Sequence, residues 1–208
     1  MKESKTIKNY QTLKYFTQAE ILLIRKTAKA RAVQARKDGH HFHAIMEWAL
    51  LDLMTSSGLR CAEVADLRIS DIRNGECPAL FIRRGKGSMS RFVQVPPKLL
   101  AHLKSHQVWK KTQGESTGPD DHLFRGQRGP FSAQGITLIV KKHLRALGLY
   151  EPGKAGHSLR HSYAVRLYKS QRCLRTVQKQ LGHSSLSSTQ IYADVTKEDI
   201  AKQIKGLW

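Results

Sequence analysis

His157-Ser158-Leu159-Arg160-His161 and Leu181-Gly182-His183, with Tyr192 nine residues beyond His183, decide how this chain is read. A cluster of imidazoles and a guanidinium precedes a single tyrosine in a short, helix-like stretch. A phenol is a poor nucleophile at neutral pH, and a phosphodiester is a hindered, anionic electrophile. Chemistry between them needs several fixed cations and proton carriers converging on one phosphate. An unbroken helix from His183 to Tyr192 would make about two and a half turns and set the two side chains on opposite faces. Gly182 suits a helix C-terminus, and Ser184, Ser185, Ser187 and Ser188 suit the N-cap of a following helix. A turn there can bring both side chains to one pocket.

Further charges lie at a distance in sequence. Arg60 and Glu63 are three apart and share a helical face, with Arg60 expected in the first turn after Ser57-Gly58-Leu59. Arg60 could grip a phosphate oxygen in bidentate fashion while Glu63 orients a neighbouring cation; taken alone, the spacing is better explained by an ordinary intrahelical ion pair. Lys86 sits between Gly85 and Gly87 at a hairpin tip, where it could act as general acid or be an exposed turn lysine. His157 and Arg160 also share a face. His157 and His161 have the i, i+4 spacing of metal pairs, but no Glu lies between them and no third ligand follows, so no metal is expected. His40-His41-x-His43 reads as a helix start or surface loop, and Tyr163 and Tyr168 as packing residues.

Composition sets the class of partner. Among 208 residues Lys and Arg outnumber Asp and Glu by 36 to 16, a formal net charge of +20. Such an excess favours a polyanion, nucleic acid before an anionic membrane surface. Hydrophobic residues make up 40%, enough for a core. Cys61, Cys77 and Cys173 are odd in number and form no Cys-x-x-Cys pair, which fits reduced thiols. The N-terminus lacks an apolar signal core, and the apolar run Ala44 to Met54 is interrupted by Glu47 and Asp52. A soluble cytoplasmic, nucleoid-associated protein is expected.

The organisation reads as mainly α with a small antiparallel β-sheet. Residues 1–16 form a basic N-terminal arm or linker. A capping box, Thr17 with Glu20, opens a helix that Asp38-Gly39 ends; Lys26 and Lys29 lie on it as candidate phosphate contacts. Helices follow over His41 to Ser56 and Arg60 to about Leu67, then a turn over Asp71 to Gly75. Strands Ala79 to Arg83 and Arg91 to Val95 flank the glycine-rich tip. Pro96-Pro97 starts a helix to about Lys110, and residues 132–147 form an amphipathic one ending at Gly148. The remainder is helical apart from connectors near 150–156 and 182–186.

These pieces together resemble the catalytic domain of the tyrosine recombinases, the phage integrase family. The matching segments are Ser57-Gly58-Leu59-Arg60-Cys61-Ala62-Glu63-Val64, Gly85-Lys86-Gly87-x-x-x-Arg91, His157-Ser158-Leu159-Arg160-His161, Leu181-Gly182-His183-Ser184 and Thr189-Gln190-Ile191-Tyr192, in family order. The resemblance implies that Arg60 and Arg160 bind the scissile phosphate with His183 assisting. Lys86 would be general acid, and His157 a proton acceptor or phosphate contact. Glu63 and His161 would support the site, and Arg91, with Lys26 and Lys29, would touch DNA. Tyr192 would attack to give a 3′-phosphotyrosine and a free 5′-hydroxyl. No metal or nucleotide cofactor is implied.

The expected activity is therefore site-specific recombination of double-stranded DNA by a homotetramer on two sites, with a partner recombinase or DNA-bending protein as a possible accessory. The resemblance covers residues 17–195. In the tail, 196–208, Ile200, Ile204 and Leu207 share a face suited to docking on a neighbouring protomer. Most family members carry a helical core-binding domain ahead of this point. The chain is then either a naturally short recombinase, of which the invertases that switch fimbrial promoters are the type it looks like, or a part of a larger protein. A non-cutting DNA-binding protein of the same fold, and a type IB topoisomerase, are the competing readings.

Overall fold

A computed structural model describes residues 13–39, 41, 43–83, 90–126, 128–183, 185 and 187–194. Lys86, its flanking glycines and the tail 196–208 lie outside the described residues. Helix α1, Gln18–Asp38, opens with the capping box: Thr17 Oγ1 accepts from the Glu20 amide at 3.2 Å, and Glu20 accepts from the Thr17 amide at 2.6 Å. It stops at Gly39, whose φ of 67° is left-handed. Ile21, Ile24, Ala28, Ala32 and Ala35 recur at steps of three and four and form its buried stripe.

That stripe packs on α2, His43–Ser57, a central helix buried along nearly its whole length. Its two carboxylates are the ties that hold neighbouring helices to it. Asp52 pairs with Arg25 of α1 at 2.5 Å and with His102 at 2.6 Å. Glu47 pairs with Lys142 at 2.7 Å and His143 at 2.8 Å. A buried carboxylate persists only when paired and hydrogen-bonded, so the charges that interrupt the apolar run act as its anchors. No helix among the described residues is long and apolar enough to cross a membrane.

After α3, Cys61–Ala65, a single 3-10 turn leads to a three-stranded antiparallel sheet of β1, Ile72–Arg73, β2, Ala79–Ile82, and β3, Arg91–Gln94, in that order. Phe81 faces Phe92 and Ile82 faces Arg91 in the register. Helix α3 is shorter than the expected Arg60–Leu67, and β1 replaces part of the expected turn. A two-residue strand has no periodicity to read; pairing with β2 creates it. Helix α4, Pro97–Thr112, is followed by a second small hairpin, β4, Arg125–Gly126, with β5, Gly129–Pro130, which sequence patterning does not reveal.

Helix α5, Ala133–Ala146, is capped by Ser132 and shows the expected amphipathic pattern. The C-terminal part divides into α6, Gly156–Gln171, α7, Leu174–Leu181, and α8, Ser187–Asp194. The break between α6 and α7 falls at Arg172, left-handed at φ 53°; without a glycine there, the sequence gives no sign of it. These helices enclose a second small core of Ala164, Val165, Val177, Leu181 and Tyr192. Leu13 and Tyr15 pack on that core, Phe16 is 2% exposed, and its amide donates to Ser162 Oγ at 2.7 Å. The last residues of the expected arm thus lie against α6.

Candidate active site

The site begins at the turn between α2 and α3. Gly58, at φ 66°, presses against the Tyr163 ring so closely that a Cβ would sit 2.4 Å from Cδ1. Its carbonyl accepts from Arg160 Nη1 at 2.9 Å. Two residues on, Arg60 is the N-cap of α3, one position before the expected first turn. Its amide donates to Glu63 Oε2 at 2.9 Å and its guanidinium meets Oε1 at 2.8 Å. The expected ion pair is present, and it is part of something larger.

Glu63 is buried at the centre of three guanidiniums. Besides Arg60, Arg91 grips it with two bonds of 2.8 and 3.1 Å, and Arg160 stands 3.8 Å away. Burial works to raise the Glu63 pKa, but Arg91, the Arg60 amide and Arg160 outweigh it and hold it below the usual range. Arg160 is buried on α6, donating to the Leu181 carbonyl at 2.8 Å as well as to Gly58. Burial and the neighbouring Arg60 lower its pKa to about 10, against the pull of Glu63, so it stays charged at neutral pH. One carboxylate among three guanidiniums leaves net positive charge in a confined space, which suits an anion.

Tyr192, on α8, is 1% exposed. Its hydroxyl lies 3.0 Å from His161 Nδ1. The His183 ring stacks at 6.2 Å between centroids and 20° between planes. The break that this stacking requires is there: α7 ends at Gly182, left-handed at φ 67°. His183 is held from several sides. Its Nδ1 pairs with Thr189 Oγ1 at 2.9 Å, its amide donates to the Gln178 carbonyl, and its carbonyl accepts from Gln178 Nε2, each at 3.1 Å. Burial first, then Arg160 and Arg60, lower the His183 pKa to about 4. Burial, then His157 and Arg160, do the same for His161. Burial raises the Tyr192 pKa while Arg160 and Arg60 oppose it. A neutral imidazole beside a protonated phenol can take its proton.

Arg60, Glu63, Arg160, His161, His183 and Tyr192 therefore meet in one place. His157 is exposed on the first turn of α6. Lys26 and Lys29 are exposed on α1. Arg91, expected to touch DNA, has a side chain 12% exposed and turned onto Glu63. Adjacent buried carboxylates and guanidiniums satisfy one another, and sequence spacing carries no trace of that pairing. Gln178 and Gln180 were not singled out in the sequence, and Thr189 was given no role there; their contacts form only once α7 folds against β3 and α8. No group of three or more His, Cys, Asp or Glu that could hold a metal occurs among the described residues.

The mainly helical fold with its small sheet is shared with solved recombinase structures. The crystal structure of the XerH site-specific recombinase bound to a palindromic difH substrate, a post-cleavage complex, matches with a TM-score of 0.76 and 21% identity over 98% of this chain and 55% of that one. The XerA recombinase crystal structure matches with a TM-score of 0.75 and 22% identity, over 93% and 66%. The phage integrase family profile matches residues 14–199, and the chain belongs to that family. Tyrosine recombinase XerC of Shewanella amazonensis is 35% identical over 164 residues, 78% of this chain and 53% of that protein. Tyrosine recombinase XerA of Pyrococcus horikoshii is 31% identical over 160 residues, 75% and 53%. The chain spans about half the length of these curated relatives.

Proposed function

We propose that the chain is the catalytic part of a site-specific DNA recombinase working through a 3′-phosphotyrosine. The observation that carries this reading is the Tyr192 hydroxyl hydrogen-bonded to His161 beside an arginine cluster assembled from α3, β3 and α6. Tyr192 Oη attacks the scissile phosphorus, its proton passing to a neutral imidazole, His161 in the described arrangement. Arg60 and Arg160 offset the charge gathering on the non-bridging oxygens, and His183 adds a donor. The P–O5′ bond breaks, and Lys86 delivers a proton to the leaving oxygen. The 5′-hydroxyl of another strand reverses the sequence. The ester retains the bond energy, so religation needs no nucleotide.

Tyr192 is buried as described, so engaging DNA must expose it to the phosphate. The net charge of +20 supports double-stranded DNA as the substrate and makes its binding steeply salt-dependent. Lys26 and Lys29 are exposed and suited to the backbone; His157, at the rim, suits a phosphate contact. A homotetramer on two sites, aided by a partner recombinase or a bending protein, completes the proposal. The finer likeness to invertases of fimbrial promoters has no support in the relatives named above, which are Xer recombinases. The test is incubation with a nicked duplex carrying the cognate site. An SDS-resistant adduct is expected from the native chain and none from Tyr192→Phe; an adduct that persists in the variant overturns the assignment.

A further inference from the structure

We infer that Gln180, which no part of the proposed chemistry uses, is a positioning residue for the arginine cluster. Strand β3 is the edge of its sheet, and an edge strand presents unpaired peptide groups. Gln180 fills that vacancy from α7. Its Oε1 accepts from the Gln94 amide at 3.2 Å and its Nε2 donates to the Gln94 carbonyl at 2.7 Å, the pairing another strand would make. The same Nε2 donates to the Tyr163 hydroxyl at 2.9 Å. One carboxamide thus joins β3, α6 and α7.

The consequences reach the site by two routes. The Gln180 carbonyl accepts from Arg91 Nε at 3.4 Å while the Arg91 guanidinium grips Glu63, and Gly182 fits so tightly over Arg91 that a Cβ would fall 2.7 Å from its Cδ. The next carbonyl along, Leu181, holds Arg160. Tyr163, the third partner, is the ring wedged against Gly58, whose carbonyl holds the other arm of Arg160. Both acceptors that fix Arg160 are therefore tied to Gln180, one through its own backbone and one through Tyr163. Loosening the carboxamide lets the Arg160 fork drift relative to Glu63 and Arg60 without removing a charge from the site.

This inference rests on the phosphoryl-transfer reading above and makes a separable claim. Single-turnover cleavage would be followed on two nicked duplexes, one with an ordinary scissile phosphate and one with a methylphosphonate there. The methylphosphonate lacks the charged non-bridging oxygen, so it depends less on guanidinium alignment. Gln180→Leu should slow cleavage of the phosphodiester about 10- to 100-fold. Its DNA affinity should be unchanged, and so should its rate on the methylphosphonate. Gln180→Glu, which keeps size and polarity but loses both donated bonds, should be slowed by a smaller factor at native Tm. Equal loss on both substrates means a merely structural role and overturns the inference, as does full phosphodiester activity in either folded variant. Absence of any adduct from the native chain overturns the recombinase reading itself.

Discussion

The His161 Nδ1 atom, not His183, makes the hydrogen bond to the Tyr192 hydroxyl, at 3.0 Å, while His183 Nδ1 is occupied by Thr189 Oγ1 at 2.9 Å. The two imidazoles flank one phenol with different tasks open to them. His161 is placed to receive the phenolic proton. His183, oriented by Thr189 through Nδ1, is placed to present its other ring nitrogen.

The first prediction concerns that division. His161→Phe preserves a ring of similar size and removes the acceptor. Cleavage should slow by about 10²- to 10⁴-fold, the range for loss of a general base, with DNA affinity retained. Adduct formation at the native rate would show that another group takes the proton.

Glu63→Gln addresses the cluster. Truncating one partner of a buried ion pair leaves uncompensated charge, a cost of about 3–5 kcal/mol. Thermal or urea unfolding should record that loss at neutral pH. The sign on the acid side follows from the lowered Glu63 pKa. The carboxylate's contribution is present above the ordinary glutamate range and is lost as pH falls through its depressed folded value. The native chain should therefore converge on the variant in stability as acid is added.

Two glycines with nearly the same φ separate backbone cost from packing cost. Gly39, at 67°, has nothing within 4 Å of a built Cβ, whereas Gly58, at 66°, has the Tyr163 ring at 2.4 Å. Gly39→Ala should cost about 1–2 kcal/mol, the penalty of a left-handed residue alone. Gly58→Ala should cost clearly more and should also abolish cleavage, since its carbonyl holds Arg160. Paired denaturation curves check the difference.

His106 gives a pH prediction away from the site. It is 1% exposed between Trp109 and Phe124, and neither ring nitrogen makes a hydrogen bond of normal geometry. Burial, then the charges of Lys110 and His102, push its pKa to about 3 despite a small opposing pull from the Leu123 backbone. An unfolded histidine titrates near 6.5, so below that pH the unfolded chain takes up a proton the folded one refuses. Stability should fall as pH drops from about 6.5 toward 3, with His161 and His183 adding to the slope down to about 4. His106→Leu should flatten the slope and raise Tm at pH 5; an unchanged slope would contradict this account.

The elements whose signals are local were legible in the sequence. The Thr17–Glu20 box and Gly39 bound α1 because capping is settled within one turn of chain. Gly182 marked the turn that lets His183 face Tyr192, since a left-handed residue is a backbone property. The motifs bearing Arg60, Glu63, Arg160, His183 and Tyr192 named residues that the fold brings together. Strand β1, the β4–β5 hairpin and the break at Arg172 were not legible, because each depends on what packs beside it.

By itself, then, the sequence determined the helical frame, the sign of the charge and the choice of Tyr192 as candidate nucleophile. Only the tertiary structure decided which groups satisfy one another. It turned Arg91 onto Glu63, set the Tyr192 hydroxyl against His161, and laid Gln180 across the edge of β3. The reason is physical. Capping, turns and periodicity act over a few residues. The partner of a buried charge or an unpaired peptide is chosen by whichever distant segment arrives within about 3 Å, and that distance exists only after folding.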